Sequence, residues 1–436
     1  MVAYRVEVVE NNLKSSNLNL SQSQIKALKN KFYSHFCDIY LEMIKLDYLT
    51  NKEIKDRFKV LNPEIANNFF SNGKSVILMV SHYGGYEWCT TLNNYFEHQV
   101  AAIYTPLKDK ELEKLTLKSR KKHGIELISR YNALDKIRNL EKSGKKVYPS
   151  PKNLRIIQNK SDQKNFYSKN NLPTSRFKNY SNIQDLKRNF FNDNFEFPFV
   201  WKSSRFGYDG KGVKIIKNIE DLDFSYDHQC LIEEKVSIKK ELSVIVSRNI
   251  DGKIKCFPVV EMEFNEKSNL VEYVMCPANI SKETKEKAII VASEIAKKFE
   301  MVGLLAVELF ITNDDEILIN EVAPRPHNSG HHTIECCVTS QFDQHIRSIL
   351  NLPLGETDIL IPGIMVNLVG ENMEEGNAVY KNINDIFDIP GVYIHIYGKK
   401  KSRLNRKMGH ITIVNKDINK AIEIGKSIKN KIKVTS

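Results

Sequence analysis

The sequence predicts a multidomain chain of the α/β and α+β classes: a partial α/β segment in front, a larger mixed domain behind it, and a small mixed domain at the end. Three observations carry this. Residues 75–122 read strand, loop, strand, basic helix, which is how an α/β unit opens. In EKSGKKVYPSPKNLRIIQNK (141–160), Gly144, Pro149 and Pro151 punctuate a boundary. After it come several strand-like runs and one amphipathic helix, and beyond Pro353 and Gly355 the tail 356–436 mixes short strands with a final basic helix. The expected domains are therefore 1–146, 147–354 and 355–436.

Each element has its own warrant. From Leu20 to Leu46 apolar residues recur at helical spacing (Ile25, Leu28, Phe32, Phe36, Ile39, Met43), with Ser21 and Gln24 forming a capping-box pattern at the start. SVILMV (75–80) reads as a short buried strand, QVAAIY (99–104) as a second, and Lys108 to Lys122 as a basic helix. Further on, FPFVWKSS, CLIEEKV, ELSVIVSRN and IKCFPVVEMEF read as strands, and RFGYDGKGVKII as a Gly-rich turn returning into one. Lys282 to Phe299 is an amphipathic helix with Ser281 at its N-cap, and another helix lies near 340–350.

The bulk properties narrow the function. The chain has 436 residues, 41% hydrophobic and 27% charged, with a net charge of +12. That charge is either a solvated Lys-rich face or a match for an anionic partner. Phosphorylated small molecules are favoured, because no nucleic-acid motif stands out. The seven cysteines (Cys37, Cys89, Cys230, Cys256, Cys276, Cys336, Cys337) are odd in number and lack C-x-x-C spacing. This argues against a disulfide framework or a zinc site and for a cytoplasmic location. MVAYRVEVVENN lacks the apolar run of a signal peptide, and no segment reaches membrane-spanning length.

LLAVELFI and EILINEV flank the turn residues NDD. A hairpin centred between Asp314 and Asp315 sets Glu308 directly opposite Glu321, and like charges facing each other on a sheet destabilise it. A divalent cation would hold them together, with magnesium favoured by oxygen ligands. The alternative is a one-residue slip that leaves one glutamate in water. In WKSSRFGYDGKG, Gly207, Gly210 and Gly212 permit a loop whose N–H groups approach phosphates, with Lys202 reaching the same place. No helix follows these glycines, so this is neither a P-loop nor a Rossmann turn, and a plain glycine-bearing hairpin is the alternative. Phosphate loop, lysine and paired carboxylates together make a nucleotide site.

From about Val147 onward the sequence resembles the 5-(carboxyamino)imidazole ribonucleotide synthetases, ATP-grasp ligases of purine biosynthesis. The resemblance rests on VYPSPKNLRIIQNKSDQK, WKSSRFGYDGKG, LIEEKVSIKKELSV, LAVELF, INEVAPRPHNSGHHTIE, SQFDQHIRSILNLPL and RKMGH. It implies an ATP-grasp fold followed by a small carboxylase-type domain. Lys160 and Lys202 would contact the phosphates of ATP, under a loop formed by Gly207, Tyr208, Asp209, Gly210, Lys211 and Gly212. Glu233, Glu234, Lys235 and Val236 would be the linker that reads adenine, and Glu241 would bind the ribose. Glu308 and Glu321 would hold Mg2+, with Asn320 beside them. Arg325, His327 and Asn328 would stabilise phosphoryl transfer, and Arg406, Lys407 and His410 would lie near the ribonucleotide. Read without the resemblance, these last three are a basic surface turn. The implied reaction uses ATP and bicarbonate to make carboxyphosphate and then carboxylates aminoimidazole ribonucleotide. The family also implies a homodimer. Two departures stand out: Phe264 falls near a position where the family often has histidine, and no GGGQLG-type turn occurs before Val147.

Residues 1–146 instead resemble the lysophospholipid acyltransferases that acylate lipid A, through YRVEVVENNLKSS, KFYSHFCDIYLEMIKL, SHYGGYEW and IYTPLKDKELEKLTLKSRKKHGIELISR. His82 and Glu87 match that family's H-x-x-x-x-D/E motif, in which histidine acts as general base and the carboxylate orients it. The alternative is a polar residue at a strand end. The resemblance implies weak membrane association of this segment. The chain reads as two truncated enzymes joined near Ser143–Tyr148, either a working ligase or an inactive fusion.

Overall fold

A computed structural model gives the fold. It describes residues 6–14, 20–81, 84–107, 109–130, 144–205, 212–222, 224, 226–266 and 268–436. The chain forms two compact units, Met1–Lys145 and Lys146–Ser436.

In the first unit, α1 (Val6–Lys14) precedes α2 (Gln22–Leu46). The expected capping box is present: the Ser21 hydroxyl accepts from the Gln24 N–H, and the Gln24 side chain accepts from the Ser21 N–H at 2.8 Å. Thr50 and Glu53 repeat the device at α3 (Asn51–Arg57), and α4 (Pro63–Ser71) starts on its proline. β1 (Ala101–Tyr104) and β2 (Glu126–Ser129) pair in parallel across α5 (Lys110–Lys121).

The strand expected at 75–80 is not formed. The run is extended but unpaired, and Ile77 and Met79 are 89% and 90% exposed. An apolar run becomes a strand only by hydrogen-bonding to a neighbour, and among the described residues β1 and β2 pair with each other alone.

The second unit opens with α6 (Pro151–Ile157) and α7 (Lys160–Lys169). Then β3 (Phe177–Tyr180), α8 (Ile183–Asn189), β4 (Phe199–Ser203), β5 (Val213–Ile216) and β6 (Cys230–Glu234) build a four-stranded sheet of order β3-β6-β4-β5. Its core is Tyr180, Ile183, Leu186, Phe190, Phe199, Trp201 and Ile232.

A second, nine-stranded sheet follows. Its strands are β7 (Ile238–Arg248), β8 (Ile254–Cys256), β9 (Val260–Phe264), β10 (Val271–Cys276), β11 (Gly303–Thr312), β12 (Ile317–Ala323), β13 (Gly363–Val369), β16 (Val392–Ile396) and β18 (Lys407–Val414). The order is β12-β11-β7-β9-β10-β13-β18-β16, with β8 on β7. Two short pairs lie apart: β14 (Gly376–Asn377) with β17 (Lys401–Ser402), and β15 (Val379–Lys381) with β19 (Lys433–Thr435).

Helix α9 (Lys282–Lys298), capped by Ser281, packs Ala288, Ala292, Ile295 and Ala296 onto β7 and β11. After the short α10 (Thr333–Cys336), α11 (Gln341–Ile349) also contacts β7 and β11. This enclosure is why Leu242–Val246 is buried without a break rather than on alternate residues, Ser243 included. α12 (Ile418–Lys431) covers β13 and β18. Pro353 and Gly355 interrupt the chain but not the sheet, because β13, β18 and β16 extend it beyond β10.

Candidate functional site

The β11–β12 hairpin places the two glutamates. Leu309 faces Ile319, Phe310 faces Leu318 and Ile311 faces Ile317, so the hairpin is centred on Asp314 rather than between Asp314 and Asp315. The Thr312 N–H donates to the Glu316 carbonyl at 2.9 Å, and Asp315 takes a left-handed φ of 59° in the turn so closed. The register then shifts by one at Asn320, and Glu308 comes to lie directly opposite Glu321. A bulge thus restores the expected pairing by a different route. On its other side Glu308 pairs with Ser243 of β7, and Phe310 with Glu241.

Three lysines converge on this hairpin. Asn159 caps α7, accepting from the N–H groups of Ser161 and Asp162 and starting the helix at Lys160. Lys160 and Lys164 then lie one turn apart on one face. The Lys160 ammonium is 2.7 Å from Glu321 Oε2. Lys164 Nζ is 2.9 Å from Glu233 Oε2 and donates to Thr174 Oγ1 at 2.7 Å and Ser175 Oγ at 2.9 Å. Lys202, on β4, lies 2.9 Å from Glu233 Oε1 and 3.4 Å from Asn320 Oδ1. Lys160, Lys164, Lys202, Gln163, Glu233, Asn320 and Glu321 line one small pocket.

The charges do not balance. Burial would raise the Glu233 carboxyl, but the ammonium groups of Lys202 and Lys164 hold it down to about 2. The two lysines share that one carboxylate. Lys164, nearly inaccessible to water, therefore falls to about 8 under desolvation, despite Glu233 and with Lys202 repelling it. A pocket with more cations than anions favours an anionic oligo-oxygen ligand. Burial raises Glu241 to about 7, partly offset by the charge of Lys202. Glu308 is pushed up to about 8 by burial first, then by the negative charges of Glu321 and Glu241. Against the desolvation of the same pair, Lys160 holds Glu321 below the usual carboxylate range.

Among the described residues no group of three or more His, Cys, Asp or Glu side chains could hold a metal by itself. Glu308 and Glu321 nevertheless fit a hard divalent cation that takes its remaining ligands from phosphate and water. They lie directly opposite each other on neighbouring strands, and the charge of Glu321 helps to raise Glu308, a repulsion that a cation would relieve.

The segment after β12 carries the other candidates. His327 is kept neutral, lowered to about 4 by burial and then by Arg325 and Lys407. Its Nδ1 lies 2.9 Å from the Ser329 hydroxyl, which is 2.7 Å from the Ser243 hydroxyl, and its Nε2 is 3.6 Å from Glu308 Oε1. Arg325 is exposed and donates to the Pro326 carbonyl. Asn328 bonds Asn367 of β13. Glu234 and Lys235 are exposed at the end of β6, with Val236 half-buried. Gly212 has φ 74° and its carbonyl accepts from the Ser203 N–H at 2.8 Å, so it closes the Gly-rich turn onto β4. Gly207, Tyr208, Asp209, Gly210 and Lys211 lie outside the described residues.

Of the three residues expected near a ribonucleotide, only Lys407 acts on the site, its charge lowering both Glu308 and His327. The Arg406 guanidinium donates back to the Lys401 carbonyl at 2.7 Å. His410 is 2% exposed and driven down to about 3 by burial and by His331 and His395. His410, expected near the ribonucleotide, is thus a neutral, interior imidazole.

Sequence reasoning missed Lys164, although its spacing four residues after Lys160 was visible. Glu233, expected with its neighbours in an adenine-reading linker, turns its side chain inward to hold two lysines, a role the sequence did not suggest. In the first unit, Glu87 is buried and both its oxygens bind the Arg120 guanidinium, Nε at 2.9 Å. Arg120 is thus the strong partner of this carboxylate, and His82 itself lies outside the described residues.

Three stretches of the chain match known protein families. Residues 165–342 match the ATP-grasp domain family, and 363–424 match the phosphoribosylaminoimidazole carboxylase C-terminal domain. Residues 7–155 match the bacterial lipid A biosynthesis acyltransferases. The N5-carboxyaminoimidazole ribonucleotide synthase of Synechococcus elongatus is 35% identical over 280 residues, 63% of this chain and 69% of that protein. The crystal structure of N5-carboxyaminoimidazole ribonucleotide synthetase from Thermotoga maritima matches with 42% identity and a TM-score of 0.63, covering 70% of this chain and 79% of the other. An Aspergillus clavatus N5-carboxyaminoimidazole synthase, solved with ADP and 5-aminoimidazole ribonucleotide, has 28% identity and a TM-score of 0.59, with 69% and 81% covered. The chain spans about half the length of other curated relatives that it matches.

Proposed function

Because this chain belongs to the N5-carboxyaminoimidazole ribonucleotide synthase family, we propose that it is an ATP-dependent carbon–nitrogen ligase of purine biosynthesis. Its reaction would carboxylate 5-aminoimidazole ribonucleotide with bicarbonate, by way of carboxyphosphate. The observation that carries this reading is the convergence of Lys160, Lys164 and Lys202 on one pocket lined also by Glu321, which lies directly opposite Glu308 on the hairpin. The lysines bind and orient the phosphates of ATP, and Glu241 receives the ribose. Glu308 and Glu321 hold Mg2+, which when bound neutralises phosphate charge. Arg325, neutral His327 and Asn328 stand next to the metal strand, where bicarbonate is activated. A cytoplasmic enzyme suits seven cysteines outside any disulfide, and the family resemblance suggests a homodimer. Among the described residues no helix is long and apolar enough to cross a membrane.

The ribonucleotide site draws on fewer groups than the ATP site, since Arg406 is turned back and His410 is neutral. Two lost charge-assisted bonds of about 1.5–3 kcal/mol each weaken binding by roughly two to four powers of ten. Phosphate release with ATP and bicarbonate, with and without the ribonucleotide, tests the proposal. The expected result is slow bicarbonate-dependent hydrolysis that the ribonucleotide stimulates only at high concentration. ATP hydrolysis indifferent to bicarbonate would refute the ligase reading. Saturation at micromolar ribonucleotide, with one phosphate per carboxylation, would refute the weakened site alone.

The acyltransferase match supports a second reading for the first unit, that of an acyltransferase remnant with weak attachment to lipid. The commitment of Glu87 to Arg120 opposes catalysis there. No acyl transfer to a lipid A precursor is expected, and product that disappears in H82A would contradict this.

A further inference from the structure

The buried polar row beneath the 327–332 segment serves none of the roles described so far. Across neighbouring strands Asn367 of β13, His410 of β18 and His395 of β16 are directly opposite one another, so all three side chains share one face of the sheet. The row is anchored from both sides. The Tyr397 hydroxyl lies 2.9 Å from His410 Nδ1, and Glu335 Oε1 lies 2.7 Å from His395 Nε2. Two residues of the segment rest on it: the His331 ring stacks on His410 with centroids 4.8 Å apart, and Asn328 meets Asn367.

The amide contact has a direction. Asn328 Nδ2 donates to Asn367 Oδ1 at 2.8 Å, and Asn367 Nδ2 donates back to Asn328 Oδ1 at 2.8 Å. Such a reciprocal pair would be equally good with both amides flipped. The tie is broken by a third bond, from Asn367 Nδ2 to the Val271 carbonyl at 2.8 Å. A backbone carbonyl only accepts, so flipping Asn367 would set two oxygens against each other inside the protein, where Asn367 is 1% exposed. Val271 therefore fixes Asn367, and Asn367 fixes Asn328. Each Asn328 amide atom retains one unused position. The coupling decides which flank of the side chain offers N–H and which offers oxygen.

We propose that Asn367 is a positioning residue: through the Val271 carbonyl it locks the Asn328 amide in one orientation, so that its remaining N–H meets an oxyanion of the activated bicarbonate. The choice of oxyanion rests on the functional reading above; the locked orientation does not.

Two measurements separate these claims. In the wild-type chain with 15N-labelled asparagine, the two carboxamide protons of Asn328 should exchange with solvent at rates differing by about tenfold or more, the slower one facing Asn367. Equal exchange of the two would overturn the lock, whether or not the chain turns over. In kinetics, N367L should lower kcat for bicarbonate-dependent phosphate release about tenfold, with the ATP KM unchanged within about twofold. In the N328A background the same change should cost nothing further. Losses that multiply would show that Asn367 acts through general stability rather than through Asn328. Wild-type protein without bicarbonate-dependent release would count against the functional reading, while the exchange rates would still decide the lock.

Discussion

Replacing Glu233 with glutamine is expected to destabilise the second unit by about 3–5 kcal/mol, the usual cost of removing one partner from a buried ion pair. Glu233 is 4% exposed and lies between Lys164 and Lys202 at 2.9 Å from each. Without its charge, two ammonium groups would share an interior site with only hydroxyl and amide oxygens. The same change should weaken nucleotide binding, because Lys202 loses the group that aims it. Urea unfolding of wild type and E233Q measures the loss, and a difference below about 1 kcal/mol would mean that water enters the site freely. The acid limb gives an independent check. Glu233 is held at about 2 in the fold, so its contribution is full above the ordinary carboxylate range and fades as pH falls towards about 2.

The second large effect concerns the opposed glutamates. E321Q should weaken Mg-ATP binding roughly 100-fold, about 2.8 kcal/mol, and change ATP binding little when magnesium is chelated. Calorimetric affinities that are equal for wild type and E321Q in magnesium would remove the metal from this hairpin. E308Q probes the same pair through stability. With its folded value raised to about 8, Glu308 stabilises the metal-free chain fully below its unfolded value near 4.5, and loses that contribution as pH rises through about 8. The metal-free wild type should therefore lose thermal stability between about pH 5 and 8. E308Q should flatten that decline, since glutamine keeps a neutral group throughout. An unchanged slope in E308Q would mean that Glu308 is ionised in the fold.

Much of this was legible in the sequence, for identifiable reasons. The hairpin could be read because NDD is flanked by two apolar runs that each carry one glutamate. Its centre was misplaced because a bulge at Asn320 is a local choice of the ladder that side-chain pattern does not encode. Helix starts at Ser21 and Ser281 were readable because capping is chemistry between residues three apart. The strand at 75–80 was not, because strand formation depends on a partner elsewhere in the chain. The inward turn of Glu233 and the burial of His410 were not readable, for one shared reason. Sequence shows that a side chain can carry charge, but its direction and its exposure are set by packing, which sends the first towards two lysines and the second inside a ring stack.

The central claim is that this pocket activates bicarbonate with ATP. It is tested most directly by supplying bicarbonate labelled with heavy oxygen and weighing the phosphate released in unlabelled water. Transfer of one labelled oxygen from each bicarbonate to phosphate is the predicted result, because the phosphoryl group is attacked by bicarbonate and departs with that oxygen. Phosphate carrying only solvent oxygen would show that water attacks ATP directly and would contradict the account.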